Sequence, residues 1–384
     1  MKLNPIYTQM GVTIFEKMSA LCREGDRINL GQGFPDDTGP PQLIEAAARA
    51  LRERSNQYPP SAGVPELRGA VADYYARTQS LDFTSDNVIV TSGATEALAA
   101  AILAVVNPGD EVILFAPTYD AYAPLVRRAG GVPMFVPLHP PHWHYGREAI
   151  EAAMSSRTRA IVFNDPLNPT GTCASAEELA MLADLCVTHD LIAICDEVWE
   201  AVRFDGRPHT SLVAQRGMAE RAVKIGSAGK IFGVTGWKIG WMCAAPEMAA
   251  VLARAHQFLT FTTPPALQYA VAEGLADDGL IAERLAGWSH TREALAILLN
   301  DAGFAALPNA ATWFTCIDLP ASGIGIDDAA FARRAVKEAG VATIPLAPFY
   351  EACPVTTVVR LCHCKPEPML AEAVRRLAEF RDGL

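Results

Sequence analysis

A lysine, an acid pair and two turns carry the chemistry open to this chain. Lys230 stands in Gly226-Ser227-Ala228-Gly229-Lys230-Ile231-Phe232, which runs on to Thr235-Gly236-Trp237-Lys238-Ile239-Gly240. A lysine on a glycine-rich turn after a strand serves as a phosphate ligand or as a nucleophile. Any single lysine is most often a surface charge, but apolar surroundings lower the amine pKa and favour imine formation. Asp196-Glu197 closes the apolar run Leu191 to Cys195. Acids at the end of a buried strand are costly without a partner, such as Mg²⁺ or a protonated ring nitrogen. A helix N-cap acid is the plainer alternative. Asn164-Asp165-Pro166-Leu167-Asn168-Pro169-Thr170-Gly171 follows another apolar run. Its prolines and glycine make a rigid turn that can aim Asn168, though a plain turn uses the same residues. Ser92-Gly93-Ala94-Thr95-Glu96 lies between a strand and a helix. Free N–H groups at a helix start bind anions, and the glycine allows close approach; an ordinary start capped by Ser92 or Thr95 is the alternative.

Other chemistries fit these residues poorly. A P-loop needs two glycines bracketing four residues, then Lys and Ser/Thr. Lys230 is followed by Ile231, Gly226 stands too close to Gly229, and the acidic strand precedes the lysine turn. Gly31-Gln32-Gly33 lacks the third glycine and the helical pattern of a dinucleotide fingerprint. Cys362-His363-Cys364 invites a metal, but no second ligand pair exists to complete a tetrahedral site. The alternation of VVRLCHCK reads as a strand, and no metal is expected.

The elements that must position these groups follow from the bulk pattern. The 384 residues are 50% hydrophobic and 20% charged, a globular composition with length for a large core. A net charge of -11 argues against a nucleic-acid binder. The N-terminus has no signal-peptide h-region, and the longest apolar run, Ala97 to Val106, is too short for a membrane span and reads as a buried helix. Nine scattered cysteines, an odd number, suit free thiols in a reducing cytoplasm. Strands are expected at Asn87 to Thr91, Glu111 to Phe115, Arg159 to Asn164, Leu191 to Cys195 and Val223 to Gly226, with helices from about Thr95, at Ala121 to Ala129 and at Ser175 to His189. Short apolar strands alternating with helices predict an α/β fold with a parallel sheet covered on both faces. Beyond residue 275 a long helix, Gly279 to Ala302, precedes mixed strands and helices, which suggests a smaller α+β domain. The loop-rich first forty residues are expected to fold back onto it.

Taken together and in order, NLGQGFPD, NDPLNPTG, CDEVWE and SAGKIFGVTGWKIGW resemble class I/II aminotransferases of fold type I, nearest the branch of kynurenine/glutamine and methionine aminotransferases. The resemblance spans essentially the whole chain, and the lysine block with Trp237-Lys238 is its most specific part. It implies a large pyridoxal-phosphate domain at 45–275 with a mostly parallel seven-stranded sheet. It also implies an N-terminal arm at 1–44, forming part of the small domain, and a C-terminal small domain at 276–384. Lys230 would hold the cofactor covalently and move the proton during transfer. Asp196 would pair with the pyridinium nitrogen, keeping the ring an electron sink. Asn168 would donate to the ring's phenolic oxygen, and Tyr119 would stack on the ring. Gly93, Ala94 and Thr95, with Ser227 and Lys238, would hold the phosphate. Tyr58 resembles the tyrosine that reaches across a homodimer to the other subunit's phosphate. Arg360 would grip the substrate α-carboxylate with two parallel hydrogen bonds, with Gly33 beside it and Phe15 in the substrate pocket. Trp199 departs from the family's tyrosine at that place; an indole N–H donates but cannot accept. The implied reaction is ping-pong transfer from a large neutral, sulfur-containing or aromatic L-amino acid to a 2-oxo acid. A cysteine-S-conjugate β-lyase on the same cofactor is the alternative.

Overall fold

The five expected strands join two others in one sheet. The computed structural model describes residues 2–8, 10–23 and 25–384. The sheet contains β1 (Val88–Ser92), β2 (Glu111–Ala116), β3 (Val132–Pro137), β4 (Thr158–Asn164), β5 (Ile192–Asp196), β6 (Ala222–Ser227) and β7 (Ile239–Cys243), in the order β1-β7-β6-β5-β4-β2-β3. Only β7 runs against its neighbours. The central strands are buried on both faces, which is why they read as continuous apolar runs.

One face is packed by helices Pro41–Glu53, Pro65–Gln79, Ala176–Thr188 and Pro265–Leu275. Gly93–Val105, Tyr122–Arg128 and Pro246–Gln257 cover the other. Ser175 caps Ala176–Thr188 in a capping box with Glu178, so the helix begins where its sequence places it. Ser92 occupies the N-cap position of Gly93–Val105 but makes no side-chain capping bond. The plain-cap alternative therefore fails, and the first-turn N–H groups, which have no acceptor within the helix, are left for something else.

The smaller α+β part is built from both ends of the chain. An antiparallel sheet runs β10 (Ile344–Pro345), β11 (Val358–Cys362), β9 (Phe314–Asp318), β8 (Ala305–Ala306). Ile28–Asn29 pairs in parallel with Val341–Ala342, and Leu30 O accepts from Cys362 N. The long helix Asp278–Asp301 and the last helix, Glu367–Asp382, close a separate apolar cluster beneath these strands. The N-terminal segment does fold back, as its loop-rich sequence suggested. Among the described residues, no helix is long and apolar enough to cross a membrane.

Candidate active site

The C-terminal ends of β1, β4, β5 and β6 meet at one edge of the sheet, where open α/β sheets bind ligands. A cleft of about 360 Å³ opens there. Thirteen residues singled out from sequence line it: Phe15, Gly33, Gly93, Ala94, Thr95, Tyr119, Asn168, Asp196, Trp199, Ser227, Lys230, Lys238 and Arg360. Tyr58 does not. It lies outside, 81% exposed, with its ring edge-on to Phe261 at 5.3 Å.

Lys230 follows β6 in a single helical turn, Ala228–Ile231. Its amine stands 4.7 Å from the centroid of Trp199 and 5.1 Å from that of Trp313. Desolvation by these rings brings it from 10.5 to about 8, with Cys364 and Cys362 acting in the opposite sense. Trp199 thus presents an indole face to the lysine, and its ring is locked edge-on to Trp313 and Phe314.

Asp196 ends β5 and is buried. Oδ2 accepts from the Tyr122 hydroxyl at 2.5 Å, while Oδ1 has no hydrogen-bond partner among the described residues. Burial raises the carboxyl to about 6, against the lowering effects of Tyr122, the nearby Val198 backbone N–H and the Lys230 charge. A buried carboxylate oxygen without a donor is expensive. A protonated ring nitrogen in the cleft would supply the missing donor and return the acid to its ionised form, so the site fits the cofactor that the sequence implies. Asn164 Nδ2 donates to Asp196 O and its Oδ1 accepts Asn168 N, tying the turn after β4 to the end of β5.

The helix start matches an anion. Gly93 has φ +72°, and a Cβ there would lie 3.0 Å from Lys238 Nζ. A side chain at position 93 would crowd the amine and would also be strained at this positive φ. Lys238 itself is left-handed, φ 55°, which turns the chain into β7.

Arg360 is central in β11 and 1% exposed. Nη1 donates to Asn168 Oδ1 at 3.0 Å, Nη2 to Gly31 O at 2.7 Å, and Nε has no partner among the described residues. The Phe314 ring lies 3.8 Å beneath the guanidinium. Burial lowers it to about 10, so it remains a cation at neutral pH. It has hydrogen-bonding capacity left for an anion. A Cβ on Gly33 would strike Phe314 Cζ at 2.6 Å, so the glycine lets the 31–34 loop lie against this ring.

Sequence reasoning missed Tyr122, Thr235 and Phe314 in the lining. Tyr122 had a signal, since it stands one helical turn after Tyr119 in APTYDAY. Phe314 had none, because only the β9–β11 register (Phe314 opposite Cys362) carries it to Arg360. The second acid, Glu197, turns away from the cleft. It accepts from Ser211 Oγ, faces His209 Nε2 and pairs with Lys224, which also pairs with Glu200. Glu197, Glu200 and His209 form the one metal-like cluster among the described residues, but the Lys224 ammonium already bridges both acids. His363 Nε2 faces Thr312 O, 3.0 Å away, and its side chain is spent on packing against Phe204.

The profile of the family described as aminotransferase class I and II matches residues 25–377. The chain belongs to that family. This aminotransferase is 40% identical over 380 residues to a protein of Mycobacterium tuberculosis called a probable N-succinyldiaminopimelate aminotransferase, covering 95% of both chains. It is 38% identical to the methionine aminotransferase of Escherichia coli, covering 97% of each. The crystal structure of an Escherichia coli protein with methionine aminotransferase function superposes with a TM-score of 0.95, covering 99% of this chain and 100% of that one. Human kynurenine–oxoglutarate transaminase 1 is 32% identical, with 94% of each covered. The aminotransferase therefore has the fold type I architecture that its motifs implied. Members of the family use pyridoxal phosphate.

Proposed function

We propose that this aminotransferase binds pyridoxal phosphate on Lys230 and moves an amino group from a large neutral, sulfur-containing or aromatic L-amino acid to a 2-oxo acid by a ping-pong route. One observation carries the reading: the desolvated Lys230 amine, the donor-less Oδ1 of Asp196 and the partly unspent guanidinium of Arg360 converge on one cleft. The cofactor supplies an electron sink that neither lysine nor any other side chain offers. The protein's own groups do the rest. Lys230 holds the cofactor and carries the proton at the substrate Cα. Asp196, held by Tyr122, keeps the ring nitrogen protonated. Asn168, with its Oδ1 engaged by Arg360, keeps its amide N–H for the ring's phenolic oxygen. Tyr119 and Trp199 wall the site, and the N–H groups of Gly93, Ala94 and Thr95, with Ser227 and Lys238, receive the phosphate. Arg360 and Gly33 receive the α-carboxylate, and Phe15 borders the side-chain pocket. The arrangement is read as a cytoplasmic homodimer in which exposed Tyr58 serves the neighbouring site, with an arm at 1–44, a cofactor domain at 45–275 and a small domain at 276–384.

Donor preference follows from charge. Among the described residues, Lys230, Lys238 and Arg360 are the only basic side chains lining the cleft, and the proposed mechanism employs all three. None is left for a distal carboxylate, whereas Phe15, Phe34, Tyr119 and Phe314 offer apolar surface. With methionine, phenylalanine, kynurenine, N-succinyldiaminopimelate and aspartate each in excess, the cofactor band is expected to convert fastest with one of the first three. Fastest conversion by aspartate would overturn this preference. Release of pyruvate and ammonia from a cysteine conjugate without any 2-oxo acid would favour elimination instead.

The depressed lysine pKa gives a pH prediction. Only the neutral amine attacks a carbonyl, and the Lys230 amine becomes neutral as pH rises through about 8. Uptake of pyridoxal phosphate by cofactor-free protein, followed by absorbance, is expected to quicken with pH and level off above about 8. A rate still climbing toward pH 10 would mean that Lys230 titrates like a solvated lysine.

A further inference from the structure

Glu96 lies in the first turn of helix Gly93–Val105, beside the N–H groups assigned to the phosphate. Its Oε2 reaches back to accept the Ser92 backbone N–H at 2.8 Å, and its Oε1 stands 2.8 Å from His256 Nδ1. The other ring nitrogen, Nε2, is 2.8 Å from the Ser61 carbonyl oxygen. Both nitrogens thus face groups that only accept. A neutral imidazole has one N–H and would set a lone pair against one of these oxygens; only imidazolium satisfies both. Burial pulls the His256 pKa down, but Glu96 and Ser61 more than offset it, and the net direction is up. His256 also falls in the last turn of Pro246–Gln257, where the helix dipole favours a cation.

This network joins two segments that the cofactor reading uses separately. Ser61 belongs to the stretch that carries Tyr58, and Ala62 O accepts Val90 N from β1, the strand that leads into the phosphate turn. A lone carboxylate at position 96 would repel a phosphate dianion one turn away, because like charges in a partly buried site are weakly screened.

We propose that His256 is a positioning residue for the phosphate turn: a buried imidazolium that cancels the charge of Glu96 and ties the Gly93–Thr95 start to the segment bearing Tyr58. The proposal rests on the reading that this turn receives the cofactor's phosphate. Its test compares pyridoxal phosphate with pyridoxal, which has the same aldehyde and ring but no phosphate. Affinities for both are titrated on cofactor-free wild type, His256→Gln, Glu96→Gln and the double variant.

His256→Gln is expected to weaken pyridoxal phosphate about tenfold while leaving pyridoxal within about twofold, the scale of one charge at a helix start. The double variant, which removes both charges, is expected to recover most of that loss, and Glu96→Gln alone to bind pyridoxal phosphate at least as well as wild type. Equal losses for the two ligands would reduce His256 to a packing residue and overturn the proposal. So would a double variant no better than His256→Gln. Should His256→Gln fail to fold, the double variant still decides: binding pyridoxal phosphate within about threefold of wild type supports charge cancellation, and a larger loss contradicts it. Failure of the unmutated protein to link pyridoxal phosphate to Lys230 would sink the cofactor reading itself, and is read on a different sample.

Discussion

Lys230→Ala is expected to lower the rate of amino transfer by at least about a thousandfold, since the proposed function makes one residue both covalent anchor and proton carrier. The fold should survive. The side chain belongs to the single turn after β6, and the contacts of its amine are the faces of Trp199 and Trp313, which remain locked against each other and against Phe314 and Trp288. Circular dichroism should therefore match wild type while single-turnover conversion with methionine is lost. The variant should still retain pyridoxal phosphate more weakly and without a covalent link, through the Gly93–Thr95 turn and Asp196. Unchanged turnover in Lys230→Ala would remove the lysine from the chemistry altogether.

Arg360→Lys should cost about a hundredfold in kcat/KM for every amino acid donor, equivalent to ~2.7 kcal/mol of lost transition-state binding. Charge is kept, but the planar fork is not. In the native site one arm of the guanidinium holds Asn168 and the other Gly31, with the ring of Phe314 stacked 3.8 Å below. An ammonium cannot keep these bonds and also give two parallel ones to a carboxylate. The loss should fall mainly on KM, and the cofactor spectrum should be nearly unchanged, because in the proposed site Arg360 would act on the ring only through Asn168, to which it is bonded. A loss confined to kcat, with KM preserved, would place Arg360 outside substrate binding.

Much of this site was legible because its residues sit at strand ends, and strand ends are visible as the place where an apolar run meets Gly, Asn, Asp or Ser. Ser92, Asn164, Asp196 and Ser227 each end a strand, and the parallel topology then puts them on one edge. Two strands of the seven-stranded sheet were not legible. Val132–Pro137 carries prolines at the second and last positions of VPMFVP and is only partly buried, as an edge strand can be, so it lacks the buried-strand signal. Ile239–Cys243 begins directly after the left-handed Lys238 and runs against its neighbours, so neither an α/β alternation nor a preceding helix announces it. Contacts between distant segments were hidden for the same reason. The Tyr122–Asp196 bond, the Phe314–Arg360 stack and the Glu96–His256–Ser61 bridge each join residues more than forty apart in the chain, and no local pattern encodes which partner a buried polar group finds. Trp199 shows the limit within a motif: its type was plain, but its orientation, face to the lysine and edge to two other aromatic rings, follows from Trp313 and Phe314 on the far side of the chain.

The central claim is that Lys230 holds the cofactor, and one measurement addresses it most directly. Purified protein is incubated with pyridoxal phosphate, its visible spectrum is recorded, borohydride is added, and the digested chain is examined by mass spectrometry. The account predicts a visible band that borohydride abolishes, with the reduced pyridoxyl group fixed on Lys230. A visible band that survives borohydride, or label fixed on another lysine with Lys230 unmodified, would contradict it.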